Sequence, residues 1–125
     1  MAILRVLVAI FGIVCCVIAL THVAIGPSAI PGSVPVNATM DSEDRFYSTL
    51  FLGFGAALIW CSRDLIARRN IFHCLLLVFF LGGVARIVSA LQVGLPNVLF
   101  QTLGLIELTL PVLFFVWLRA LIKAK

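Results

Sequence analysis

Four long apolar stretches, each about one bilayer in length, take up most of this chain and leave little choice of fold. They cover roughly residues 3–25, 45–61, 71–91 and 98–118. A segment of about 20 predominantly apolar residues is long enough to cross a ~30 Å hydrocarbon core as an α-helix. Within lipid every backbone N–H and C=O must be satisfied inside the protein, which leaves helices and closed barrels as the only spanning structures. Uninterrupted apolar runs, without strict alternation, select the helix. Composition agrees: 63% of residues are hydrophobic and 11% charged, with a mean hydropathy of +1.23. A soluble domain has roughly 45–50% apolar and 25% charged residues. Residues 1–125 are therefore expected to form a single all-α membrane domain, a bundle of four transmembrane helices. The short connections leave no room for a soluble catalytic domain.

The first stretch has Arg5 ahead of a long apolar core, as a signal peptide would. Its core is longer than the ~7–15 residues of a signal h-region and lacks a small-x-small cleavage site at its end. It is read as a transmembrane helix. Residues 26–44 form the one sizeable loop, where Pro27, Pro31 and Pro35 with Gly26 and Gly32 exclude a continuous helix. A helix start is expected at Asp41-Ser42-Glu43-Asp44, a capping residue followed by acids in a first turn. Gly94 and Asn97 suit a helix C-cap and an N-cap around a tight uncharged turn.

Of nine Lys and Arg residues, seven fall at the N-terminus (Arg5), in the middle hairpin (Arg63, Arg68, Arg69) or in the tail (Arg119, Lys123, Lys125). Positive charge marks the cytoplasmic side. Both termini are thus expected in the cytoplasm, with the Pro-rich, acidic loop outside. Trp60, Trp117 and Tyr47 fall at span ends, where aromatic belts form. On this reading the net charge of +4 reports topology and not nucleic-acid binding.

Two charges break the apolar runs: Arg86 in the third and Glu107 in the fourth. An ionisable group at mid-bilayer costs roughly 2.5–3.5 kcal/mol on insertion scales and is retained when paired or functional. Arg86 follows Ile71 by fifteen residues, a depth of ~22 Å from the inner side at 1.5 Å per residue. Glu107 follows Val98 by nine, ~13 Å from the outer side. Opposite in sign and on consecutive spans, they are expected to pair. Arg45, at the outer end of the second span, leans toward the same zone or snorkels to water.

Small residues should let helices approach: Gly53 and Ala57, four apart, with Gly82, Gly83 and Gly104 near the charged pair. Pro111, four residues after Glu107, removes a backbone donor and is a candidate kink. Two readings of Arg86 and Glu107 stay open: a salt bridge holding the bundle, or a ligand or ion site. In the second, Arg45 and Arg86 are the candidates for contact with a lipid phosphate, which Arg binds bidentately.

Little else suggests chemistry. Cys15, Cys16, Cys61 and Cys74 have no metal-ligand spacing and read as small buried hydrophobes. His22 and His73 belong to opposite membrane faces on this topology, so they share no metal. Asn37-Ala38-Thr39 matches a glycosylation acceptor, a pattern common by chance. No nucleophile set, phosphate-binding loop, metal site or cofactor motif is evident, and no enzymatic activity is expected.

Arg45-Phe46-Tyr47, Gly53-Phe54-Gly55, Gly82-Gly83-Val84-Ala85-Arg86-Ile87-Val88-Ser89, Gly94-Leu95-Pro96 and Glu107 together resemble a bacterial family of small four-span membrane proteins grouped as a domain of unknown function. The resemblance covers nearly the whole chain and implies an inner-membrane protein whose polar positions are Arg45, Arg86 and Glu107. One Acinetobacter member is linked with envelope homeostasis and a trimeric assembly, which implies a homo-oligomer here. The expected role is non-enzymatic support of envelope or lipid homeostasis, with membrane lipids as partners and no nucleic acid. The alternatives are a small oligomeric transporter or channel lined by Arg86 and Glu107, and an accessory subunit of a larger membrane complex. Similarity to DoxX-like four-span proteins would point to redox or quinone partners, but no redox residue supports it.

Overall fold

The computed structural model describes residues 1–124; Lys125, assigned above to the basic tail, lies outside the described residues. All regular structure among the described residues is helical. The order is α1 (Ala2–Ile25), a 3-10 turn (Gly26–Ala29), α2 (Ala38–Ser62), α3 (Arg69–Val93) and α4 (Val98–Lys123). The chain forms two compact units, one of Arg5–Asp64 and the other of Met1–Leu4 with the described residues from Leu65 onward.

In the first unit, α1 ends where Gly26 takes a φ of +64° and Pro27 enters the 3-10 turn. α2 begins earlier than the acidic cluster suggested. Asn37 is its N-cap, and its side-chain oxygen accepts a hydrogen bond from the Met40 amide at 2.9 Å. Asp41 to Asp44 therefore lie inside the first two turns, and the loop shrinks by about two helical turns. The reason is local. Pro35 could enter only a first turn, where the preceding Val34 offers no capping oxygen, and Asn37 is the next residue able to satisfy a free amide. The asparagine of the apparent glycosylation signal thus serves as a cap.

Helices α1 and α2 touch through backbone. A Cβ on Gly12 would stand 2.7 Å from the Gly55 carbonyl oxygen, and one on Gly55 would stand 2.7 Å from the Cys16 sulfur and 2.8 Å from the Gly12 oxygen. The close approach is thus made by Gly12 and Gly55. Gly53, expected to pack with Ala57, has open space around it, because it lies two residues away on another face of the helix. Phe11 and Phe54 meet edge to face with ring centroids 6.2 Å apart. Arg5 donates to the carbonyls of Ser62 and Arg63, closing the free carbonyl end of α2.

In the second unit, α3 and α4 form an antiparallel hairpin. Its turn is closed as expected. The Gly94 amide donates to Ala90 O at 3.1 Å, with φ +114°, and Asn97 caps α4 by accepting from Leu99 N at 2.9 Å. Buried Phe72, Leu76 and Gly83 recur at helical spacing on α3, as Pro111, Phe114 and Leu118 do on α4. Phe72 and Phe114 lie 6.4 Å apart. α4 runs unbroken through Pro111. Of the cysteines, Cys15 and Cys61 are buried as small hydrophobes, whereas Cys16 is only partly covered and Cys74 is exposed.

Three helical segments are long and apolar enough to cross a membrane: Ala2–Ala29, Arg69–Val93 and Val98–Lys123. α2 matches them in length at 25 residues, but Asp41, Glu43, Asp44 and Arg45 dilute its first two turns. Large apolar side chains face outward along the helices, as with Val78 at 59% and Val116 at 59% exposed. A water-soluble protein does not present continuous apolar faces of this kind. The protein is a helical membrane protein.

Candidate functional site

The centre of the α3–α4 hairpin holds the two isolated charges in direct contact. Arg86 donates from Nε to Glu107 Oε2 at 2.6 Å and from Nη2 to Oε1 at 2.9 Å. Both carboxylate oxygens are matched by two parallel donors, the bidentate geometry that a guanidinium forms best. Glu107 is nearly enclosed at 12% side-chain exposure, whereas Arg86 keeps 40%.

The surrounding residues explain how a long cation and an acid fit between two apolar helices. Arg86 is three residues from Gly83, on the same face of α3. A Cβ on Gly83 would come within 2.9 Å of Leu108 and 3.1 Å of the Glu107 Cβ, so this glycine sets how near α4 can come. Gly104, one turn before Glu107, gives space to the aliphatic stem of Arg86, whose Cδ would lie 3.5 Å from an added Cβ. The guanidinium carbon sits 5.6 Å from the centroid of the Phe100 ring. A cation over an aromatic face gains roughly 0.5–1 kcal/mol at exposed sites. A Cβ added to Gly82 would meet nothing within 4 Å, so this glycine faces away from the pair.

Arg45 lies within the other unit and is engaged locally. Its Nε and Nη2 donate to Asp41 at 2.8 and 3.2 Å, and its Nη1 donates to Val23 O at 2.6 Å and Ala24 O at 3.2 Å. These are carbonyls at the end of α1, so Arg45 closes the helix end as Arg5 does for α2. Hydrogen bonding from Arg45 holds the Asp41 carboxyl below its ordinary range. Gly26 sits against this pair, since a Cβ there would be 2.5 Å from Asp41 Oδ1. His22 Nδ1 meets Asp44 Oδ2 at 3.1 Å. Sequence reasoning did not foresee the Arg45–Asp41 and His22–Asp44 contacts. The four-residue spacing of Asp41 and Arg45 is a helical ion-pair signal that would have found the first. His22 and Asp44 are 22 positions apart, and only the hairpin joins them.

Among the described residues, no three His, Cys, Asp or Glu side chains gather as a metal site would require. The polar chemistry at the centre of α3–α4 is thus a single paired charge whose cation is partly open to the helix surface. Neither a curated protein nor a solved structure matches the chain. The model of the family described as Domain of unknown function (DUF4345) matches residues 3–118, nearly the full length, and the protein belongs to that family.

Proposed function

We propose that this is a non-enzymatic protein of a bacterial inner membrane that supports envelope or lipid homeostasis, using Arg86 as a lipid contact. The observation that carries the reading is the asymmetry of the ion pair. Glu107 is enclosed and takes two donors, while Arg86 remains 40% exposed and has no protein acceptor on Nη1 among the described residues. An arginine N–H directed at hydrocarbon has to find an acceptor, and a lipid phosphate or ester oxygen is the acceptor a bilayer supplies. Arg45 is less suited to that role, because all three of its nitrogens already donate to protein oxygens.

On this reading α2 is the fourth span, entering the bilayer near Arg45, and both termini face the cytoplasm. The distribution of basic residues supports this orientation. Gly53 and Gly82, open within the chain, are where a second copy would approach closely, in a homo-oligomer of the trimeric kind implied by the resemblance.

The test compares lipid retention by wild type and by the double variant Arg86→Met, Glu107→Leu, measured by native mass spectrometry of the full chain released from micelles. The double variant leaves no unpaired charge behind, so it is expected to fold. Fewer retained phospholipids than wild type would support the reading, and equal retention would refute it. A reporter fused to the C-terminus that reads outside would refute the topology.

A further inference from the structure

The open end of the α3–α4 hairpin, opposite the 94–97 turn, carries a second cluster that shares no residue with the Arg86 site. Residues four apart on each helix face one another: Arg69 and His73 on α3, and Phe115, Arg119 and Lys123 on α4. With Ile122 they line an open cleft of about 390 Å³. Three of the six lining residues are cationic and none is acidic. None of the three has an ion-pair partner among the described residues. The Arg119 guanidinium lies 5.5 Å from the Phe115 ring centroid, and that ring lies 4.8 Å from the His73 ring.

An independent observation points to a ligand. The His73 Nε2 is buried and has no hydrogen-bond partner among the described residues. Buried polar atoms are almost always paired, by protein or by something bound. The unsatisfied imidazole nitrogen thus belongs to a lining residue of a cleft whose cations have no ion-pair partner among the described residues, with an aromatic and an aliphatic wall. Position adds to this, because Arg69 opens one segment long and apolar enough to span and Lys123 closes another, and the ends of spanning helices lie among the headgroups.

The geometry points to a phosphate-binding site at this end of the hairpin, taking the phosphate of an anionic lipid headgroup or of a soluble phosphate compound. Arg119 and Arg69 supply planar donors and Lys123 a point charge, and a turn of the His73 ring toward the cleft would bring its Nε2–H to the same ligand as one further donor. Basic pockets between transmembrane helices bind phosphate headgroups in this way. The apolar wall of Phe115 and Ile122 suits the start of an acyl chain.

The test uses the full chain in nanodiscs of phosphatidylcholine with or without phosphatidylglycerol, and separately with inorganic phosphate. In wild type, the ¹⁵N resonance of His73 Nε2 is expected to shift and saturate with one of these probes. Saturation by phosphatidylglycerol, undisturbed by millimolar phosphate, assigns a headgroup. Saturation by inorganic phosphate in phosphatidylcholine discs assigns a soluble phosphate. No shift with either overturns the proposal. Arg119→Gln with Lys123→Gln should weaken the saturating probe about 30-fold, from about fivefold per charge near a membrane surface. Arg63→Gln, a basic residue outside the cleft, should change it less than about twofold. Equal weakening per charge removed in the two variants would overturn the proposal, since the effect would then be one of general charge. The Arg86→Met, Glu107→Leu variant should leave the His73 shift intact, so failure of one site is distinguishable from failure of the other.

Discussion

Neutralising Glu107 should destabilise the protein more than removing the whole ion pair. In Glu107→Gln one oxygen remains as an acceptor for Arg86, but the amide nitrogen brings a donor toward a donor, and the guanidinium loses its counter-charge. The cost is set by what surrounds it. An unpaired Arg within a span costs roughly 2.5–3.5 kcal/mol on insertion scales. Breaking a buried pair by removing one partner costs about 3–5 kcal/mol. The 40% exposure of Arg86 lets the side chain rise toward the headgroups, which places the expected loss near the lower end, at about 2–3 kcal/mol. The double variant Arg86→Met, Glu107→Leu replaces both groups with apolar side chains. Such replacements range from neutral to stabilising by about 1–4 kcal/mol. The predicted order of stability therefore has the single variant below the double variant. Reversible unfolding in mixed micelles, followed by circular dichroism, measures both. If Glu107→Gln costs less than about 0.5 kcal/mol while the double variant costs more, the pair is not isolated from water or other acceptors. An apolar setting for the two charges would then be refuted.

Two further outcomes concern the α1–α2 unit. Gly55→Ala should destabilise the hairpin by about 1–3 kcal/mol, because the new Cβ meets backbone oxygen and nitrogen that cannot rotate away; Gly53→Ala, with open space, should be neutral or gain up to about 1 kcal/mol from helix propensity. The same unfolding assay ranks the two, and equal effects would contradict the described packing. Arg45 holds the Asp41 pKa down, so the stabilisation from this contact is complete above the unfolded value of about 3.9 and is lost as pH falls through the lower folded value. The Arg45 Nε–H resonance should therefore be protected at about pH 6 and lose protection only below about pH 4, and Asp41→Asn should remove that transition.

The long-range order of the chain was visible because lipid imposes simple rules. Apolar length predicted α1, α3 and α4, and two residues, Gly94 and Asn97, marked the one tight turn through backbone requirements that few residues meet. The contact between Arg86 and Glu107 followed from charge cost and sign alone. Other features were less legible for identifiable reasons. Asn37 resembled a glycosylation signal, and its capping role depends on how far the preceding prolines hold the chain out of the helix. Gly53-x-x-x-Ala57 fits a packing motif, but rotational phase decides which small residues meet, and a shift of two residues from Gly53 to Gly55 turns the helix face by more than half a turn. The Arg69–Lys123 cleft is not legible in the sequence because its three cations also fit the pattern of topological charge; it emerges only when the four-residue rows of two helices are set opposite each other.

The distribution of polar contacts also bears on which of them needs a functional explanation. Arg5 closes the carbonyl end of α2, and Arg45 closes that of α1. His22–Asp44 lies beside the same helix end. The two arginines sit where a helix leaves carbonyls unsatisfied, and structure alone accounts for them. Arg86 and Glu107 cap nothing. Their hairpin is already closed by Gly94 and Asn97, and its apolar register is already set by Phe72, Leu76, Phe114 and Leu118. Two apolar residues of similar volume would fill the same space at no desolvation cost. A charge pair in an otherwise sufficient hairpin is therefore where the proposed lipid contact rests, with the partly open edge of Arg86 as the side from which a lipid oxygen would reach it.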